Sequence, residues 1–161
     1  MRERVHSFAA GLQSLGLSAG DRVALVAEGR SDWIAAELAV LYSGAINVPI
    51  SVKIDESADL KFRLAHSGCK MVICSAGQRE KISAVRNDLP DFEKVILLDM
   101  PSELRQDEEF VGEVISRGVV SLKENPNALE KRRDAIREND CANICYTSGT
   151  TADPKGIMLT H

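Results

Sequence analysis

The chain has 161 residues and a formal net charge of −4. That length fits one domain, and the acidic balance argues against a nucleic-acid binder, which would carry a basic face. A chain of this size can bury roughly 70% of its unfolded surface, so a real core is possible. No apolar run is long enough to span a bilayer and the N-terminus lacks the apolar stretch of a signal peptide, so the default location is cytoplasmic.

In chain order, Glu3 to Leu15 sets Val5, Phe8, Ala9, Leu12 and Leu15 on one helical stripe, and Gly16 and Gly20 then break the chain. Arg22 to Ala27 reads as a buried strand. Asp32 to Tyr42 reads as a helix, with Ser31 as its N-cap and Gly44 as its stop. Ala45 to Ile50 is a second strand, in which Pro49 must occupy a strand end or an edge. Asp55 is placed to cap a helix from Glu56 to Ser67, with Gly68 beyond it. Lys70 to Ser75 is a third strand, Gln78 to Asp88 a helix, and Lys94 to Asp99 a fourth strand.

Strands apolar on both faces, alternating with helices, predict an α/β fold: a largely parallel sheet flanked by helices on both faces, joined by right-handed connections. The first βα turn, Ala27 to Ser31, is not GxGxxG, so the dinucleotide fingerprint is absent there. From Met100 to Asp140 charges dominate, with a helix predicted over Phe110 to Val120. The basic cluster Lys131-Arg132-Arg133 beside Asp134 and Glu138 reads as a solvated helix face. Asn143 to Tyr146 forms a last short strand.

The four cysteines, Cys69, Cys74, Cys141 and Cys145, make no CxxC pair, and no His stands at ligand spacing from them. They read as buried free thiols rather than a metal site or a disulfide. His6 and His66 fall within predicted helices and read as surface or packing residues.

The residues that carry chemistry are the last sixteen, YTSGTTADPKGIMLTH, from Tyr146 to His161. Thr147, Ser148, Thr150 and Thr151 each offer a hydroxyl and a backbone N–H, and Gly149 permits close approach of an anion. Pro154 stiffens the turn that presents Lys155, a point charge, and Gly156 follows. This is the chemistry of a polyphosphate cradle. It is not GxxxxGK[ST], because Gly149 and Gly156 are not spaced that way. The chain therefore divides into an α/β repeat core over 1–99, a charged connection with one or two helices over 100–140, and the last strand with its phosphate-binding loop over 141–161, all of one domain.

The string from Tyr146 to Gly156 closely resembles the signature of the adenylate-forming superfamily, which includes acyl-CoA synthetases, luciferases and the adenylation domains of peptide synthetases. Met158 to His161 resembles the acyl-CoA synthetase version of the tail. Weaker likeness lies in Phe8 to Leu12, Gly20 to Leu25, Trp33, Gly44-Ala45, Val48-Pro49 and Leu64 to Ser67. Ala152 departs from the family, which has Gly there; an αL geometry at that position would cost Ala roughly 1 kcal/mol or more.

The resemblance implies part of the N-terminal domain of an enzyme that joins a carboxylate, most specifically a long-chain fatty acid, to coenzyme A. The carboxylate attacks the α-phosphate of ATP, giving acyl-AMP and pyrophosphate, and a thiol then takes the acyl group. It implies that Thr147, Ser148, Gly149, Thr150, Thr151, Lys155 and Gly156 hold the ATP phosphates, with Lys155 neutralising the departing pyrophosphate, aided by Mg²⁺, and no protein metal ligand in this segment. Losing one such charged contact should cost on the order of 2–4 kcal/mol in the transition state.

The resemblance further implies an N-terminal fragment, with the adenine, acyl and catalytic-lysine sites beyond His161. Such a fragment is expected to be inactive alone, mobile from about Thr147 onward, and prone to self-association through uncovered surfaces. Small molecules are the expected partners; peripheral membrane contact stays open. The competing readings are an aryl or amino acid adenylating enzyme, a non-catalytic nucleotide- or phosphate-binding α/β domain, and a structural domain.

Overall fold

A computed structural model describes residues 1–89, 91–147 and 154–161. In chain order the elements are α1 (Arg2–Ser14), β1 (Arg22–Val26), α2 (Ser31–Tyr42), β2 (Ile46–Pro49), α3 (Ser57–Ser67), β3 (Cys69–Cys74) and α4 (Arg79–Val85). There follow β4 (Lys94–Leu97), β5 (Glu108–Phe110), α5 (Val111–Glu124), α6 (Ala128–Asp134), β6 (Cys141–Tyr146) and β7 (Gly156–Thr160).

The strands form one seven-stranded sheet in the order β5-β4-β3-β1-β2-β6-β7. Every pairing is parallel except β6 with β7. Successive side chains of a strand point to opposite faces, and here both faces are apolar. Val23 and Leu25 of β1 join Met71, Ile73 and Ile96 under α1, α2, α5 and α6. Ala24 and Val26 join Val72, Val95 and Leu97 under Leu60 and Leu64 of α3 and Ile82 of α4. The crossovers explain the two layers. From β1 to β2 and from β5 to β6 the chain steps one way across the sheet; from β2 to β3 and β3 to β4 it steps the other way. Right-handed connections then send the helices to opposite faces.

Helices α1 and α5 cross at contact distance because both carry glycine where they meet. A Cβ on Gly118 would fall 1.7 Å from the Ser7 carbonyl oxygen, and one on Gly11 would fall 2.0 Å from that of Val114. This crossing roofs one face of the sheet.

The predicted alternation of strands and helices holds, most ends shifting by one or two residues, while the helix read over Phe110 to Val120 runs on to Glu124 as α5. Pro49 is the last residue of β2, where its missing N–H is tolerated. Gly44 and Gly68 both take positive φ, ending α2 and α3 as expected. The two predicted caps do not form. Ser31 is already inside α2 and makes no capping bond, and Asp55 instead accepts from Lys81 Nζ at 2.7 Å. The helix read over Gln78 to Asp88 is α4 with a 3-10 turn at each end, Ala76–Gln78 and Arg86–Asp88.

Two strands were not expected. β5 lies within the charged connection and completes one edge. Its Glu108 and Glu109 are buried, which their partners make possible: Arg79 Nε donates to Glu108 at 2.9 Å, and Arg117 donates to Glu109 at 3.0 Å. β7 occupies part of the segment expected to be mobile; Gly156 to Thr160 pairs antiparallel along β6, with one register shift between Cys141 and Asn143. Lys131, Arg132 and Arg133 lie on α6, and Arg133 pairs with the adjacent Asp134 at 2.7 Å. Of the thiols, Cys69 and Cys74 are buried and Cys141 and Cys145 half-buried; all four are free.

Candidate functional site

Strands β6 and β7 form a hairpin at the edge of the sheet, and its connecting segment emerges at the carboxyl end of β6. All the parallel strands end on that side, and open α/β sheets bind ligands outside the carboxyl ends of their strands. The hairpin closes on the residues picked out by the sequence. Tyr146 stands opposite Gly156 in the register, and the Thr147 N–H donates to the Lys155 carbonyl at 3.1 Å. Thr147 and Lys155 are therefore held face to face at the base of the loop, both exposed. Ser148, Gly149, Thr150, Thr151 and Ala152 lie outside the described residues.

Two helices position β6 from opposite faces. On the α2 side, Asn143 accepts from Asn47 Nδ2 at 2.9 Å, and the same amide group donates to Glu37 at 3.3 Å. Asn47 is fully buried in β2. Burial pushes the Glu37 carboxyl above its ordinary range, partly offset by the Asn47 hydrogen bond.

On the α3 side, Tyr146 reaches across to His66, and its hydroxyl is hydrogen-bonded to His66 Nδ1 at 2.8 Å. The two rings meet edge-on at 5.9 Å, and His66 stacks on Phe62 at 5.2 Å. The Arg63 guanidinium lies 5.4 Å from the centre of the Tyr146 ring, held by Asp59 at 2.9 and 3.1 Å. Burial raises the Tyr146 phenol above its ordinary pKa, so it stays protonated at neutral pH.

Gly156 has a steric role beside its place in the signature. A Cβ there would approach Ile144 Cγ2 at 3.0 Å and Tyr146 Cζ at 3.4 Å. The missing side chain lets the tyrosine ring lie across both arms of the hairpin. His161 ends β7's extension, donating its N–H to Asp140 at 3.3 Å. It borders a shallow groove of about 400 Å³ with Leu38, Leu41, Tyr42, Arg133 and Ile136. His6 packs against Tyr42 with ring centres 5.0 Å apart, in keeping with a packing role.

Further along the carboxyl ends, Arg30 bridges Asp32 at 3.0 Å and Asp99 at 2.8 Å, and Asp99 accepts the Ala76 N–H at 2.9 Å. Arg30, followed by that N–H, holds the Asp99 carboxyl below its usual range. These groups satisfy one another and stitch the β1 and β3 turns together. Among the described residues, no group of three or more His, Cys, Asp or Glu side chains could hold a metal ion.

The result is a doubly covered, mostly parallel α/β sheet with Thr147 and Lys155 at the base of a hairpin on its carboxyl edge. The chain belongs to the family of AMP-binding enzymes, whose family model matches residues 1–161.

It is 34% identical over 167 residues to the long-chain-fatty-acid–CoA ligase heimdall of Drosophila melanogaster, covering 99% of this chain and 24% of that protein. It is 29% identical over 181 residues to the mitochondrial medium-chain acyl-CoA ligase ACSF2 of Bos taurus, covering 100% of this chain and 28% of that one. The crystal structure of the anthranilate CoA ligase AuaEII in complex with anthranoyl-AMP superimposes with a TM-score of 0.83 at 20% identity, over 98% of this chain and 28% of the other. The chain thus spans about a quarter of the length of the relatives it matches. The fold expected from the resemblance and the family itself both hold.

Proposed function

We propose that the chain is the phosphate-gripping part of an ATP-dependent acid–thiol ligase that acts on a fatty acid. The observation that carries this is the hairpin: the Thr147 N–H and the Lys155 carbonyl close the base of a hydroxyl-rich loop at the carboxyl edge of the sheet. Backbone N–H groups and hydroxyls of Thr147, Ser148, Gly149, Thr150 and Thr151 would surround the β- and γ-phosphates, and Lys155 would balance their charge. The acid's carboxylate oxygen forms a bond to the α-phosphorus, and the bond from that phosphorus to the pyrophosphate oxygen breaks. The product is acyl-AMP, and the electron pair leaves with pyrophosphate. Coenzyme A sulfur then bonds to the acyl carbon and AMP departs. Lys155 acts on the leaving group, so its contribution grows as charge develops there. Mg²⁺ would enter with the nucleotide's phosphates.

A fatty substrate is favoured by the likeness to long- and medium-chain ligases; the anthranilate ligase keeps an aryl acid as the second reading. Adenylation is not expected of this 161-residue segment alone.

The test is carboxylate-dependent ATP–pyrophosphate exchange by the protein at its full natural length, across fatty, aryl and amino acids, with K155A alongside. Exchange driven by fatty acids and lowered about 10²- to 10³-fold by K155A is expected. Exchange driven only by aryl or amino acids would replace the substrate. No exchange with any acid would favour a phosphate-binding domain without catalysis.

A further inference from the structure

We infer that His66 is a positioning residue for the base of the phosphate loop, where Thr147 and Lys155 meet, acting through the hydroxyl of Tyr146. The inference rests on the polyphosphate reading of that loop and assigns it a support on a different element, α3.

Tyr146 touches both arms of the hairpin. It is joined covalently to Thr147, and its ring lies against Gly156, the neighbour of Lys155, where a Cβ would come within 3.4 Å of Cζ. Whatever fixes the tilt of that ring therefore fixes where the two arms leave the sheet. The ring packs against the α3 face of the sheet with Ile144. Packing alone leaves an aromatic ring free to slide, whereas a hydroxyl at 2.8 Å from His66 Nδ1 does not. His66 is itself held, stacked on Phe62 at an interplanar angle of 16°. It also lies one turn from Arg63, whose guanidinium faces the same tyrosine ring. The result is a four-residue bracket, Phe62, Arg63, His66 and Tyr146, whose members come from positions 80 apart in sequence at the hydrogen bond. His66 is exposed, so its side chain adds little to the core. Its geometry is accounted for by the contact it makes.

The hydrogen bond should affect ATP more than the acid, because Thr147 and Lys155 meet the phosphates in the proposed reading. The test uses the protein at full natural length, with H66L, Y146F, the H66L/Y146F double variant and H66N, in which the amide can replace Nδ1. ATP binding is measured by calorimetry, and KM for ATP and for the acid by pyrophosphate exchange. H66L and Y146F should each weaken ATP binding and raise its KM about three- to tenfold, the worth of one hydrogen bond. KM for the acid should stay unchanged. The double variant should be no worse than either single one, and H66N should recover most of the loss. Thermal midpoints within about 3 °C of the parent separate this from a general loss of stability.

If the parent binds no ATP, the phosphate reading fails and the inference fails with it. If the parent binds ATP and H66L and Y146F bind it equally well, or their effects simply add, the inference alone is overturned.

Discussion

The close crossing of α1 and α5 leaves no room for a methyl group at Gly118. In Gly118→Ala the new methyl group would lie 1.7 Å from the Ser7 oxygen and 2.7 Å from both the Ser7 carbonyl carbon and the Gly11 nitrogen. All three are backbone atoms, so no side chain can swing aside. Restoring a close C–H···O separation of about 3.3 Å requires the helices to part by about 1.6 Å. A gap of 0.5–1 Å already forfeits roughly a quarter to a half of a dispersion contact. The packing at risk is that of Phe8, Leu12 and Val114, which share one core cluster. Overpacking of this kind costs about 1–3 kcal/mol, occasionally more, while the helix itself gains about 1 kcal/mol from replacing glycine.

Because the clash is with backbone on both sides, the cost belongs at the upper end of that range, leaving a net loss of about 2 kcal/mol and a thermal midpoint about 4–8 °C lower. Circular dichroism melts and urea titrations would measure it. Gly29→Ala, where an added Cβ meets nothing within 4 Å, is the control and should be neutral. Gly11→Ala should behave like Gly118→Ala, and the double variant should lose less than the sum, because helices already parted accommodate the second methyl. A Gly118→Ala protein that melts at or above the parent temperature would refute the close crossing.

Burial pushes the Cys69 and Cys74 thiols up to about 12, so at pH 8 a disulfide reagent should label Cys141 and Cys145 first and reach the other two only after unfolding. Prompt labelling of all four in the native protein would contradict this. Burial alone would raise the Glu108 carboxyl, but the Arg79 hydrogen bonds and the Arg105 N–H outweigh it and hold it below the usual range. A depressed folded pKa stabilises above the unfolded value near pH 4.3, and that stability is lost as pH falls through the folded pKa. Urea midpoints should therefore fall below about pH 4, and Glu108→Ala should both flatten that fall and cost about 3 kcal/mol at pH 7. An acid transition unchanged in the variant would show that other carboxylates govern it. Asn47→Ala should loosen β6 on the α2 side, costing about 1–3 kcal/mol through the lost partners of Glu37 and Asn143; equal stability in urea would count against that brace.

The inner strands were legible because each is a short run apolar on both faces, a pattern that only a doubly covered sheet satisfies. β5 was not, because Glu108-Glu109-Phe110 looks like surface. Its carboxylates are buried only because Arg79 and Arg117 arrive from other elements, which no local pattern reveals. β7 was hidden for another reason. Ile157, Met158 and Leu159 are all substantially exposed, so the strand has no buried face and exists by backbone pairing to β6. At the site, hydroxyls, Pro154, Lys155 and Gly156 were readable as a string. The grip of His66 and Arg63 on Tyr146 was not, since contacts between distant segments leave no trace in local sequence. A Tyr immediately before the loop was the one signal available, and it gave no partner.

The backbone pairing of β6 to the sheet is thin. The strand shares one register pair with β2, Asn47 with Asn143, whereas β1 shares four with β2, and β6 shares five with β7. The hairpin is bound more firmly to itself than to its neighbour, so its cheapest opening detaches both strands together. Amide hydrogen exchange should then report one common protection for β6 and β7, lower than for β1 and β3. The angle of the hairpin can change without changing the spacing between Thr147 and Lys155, so the separation of its two arms and their direction from the sheet are separately adjustable.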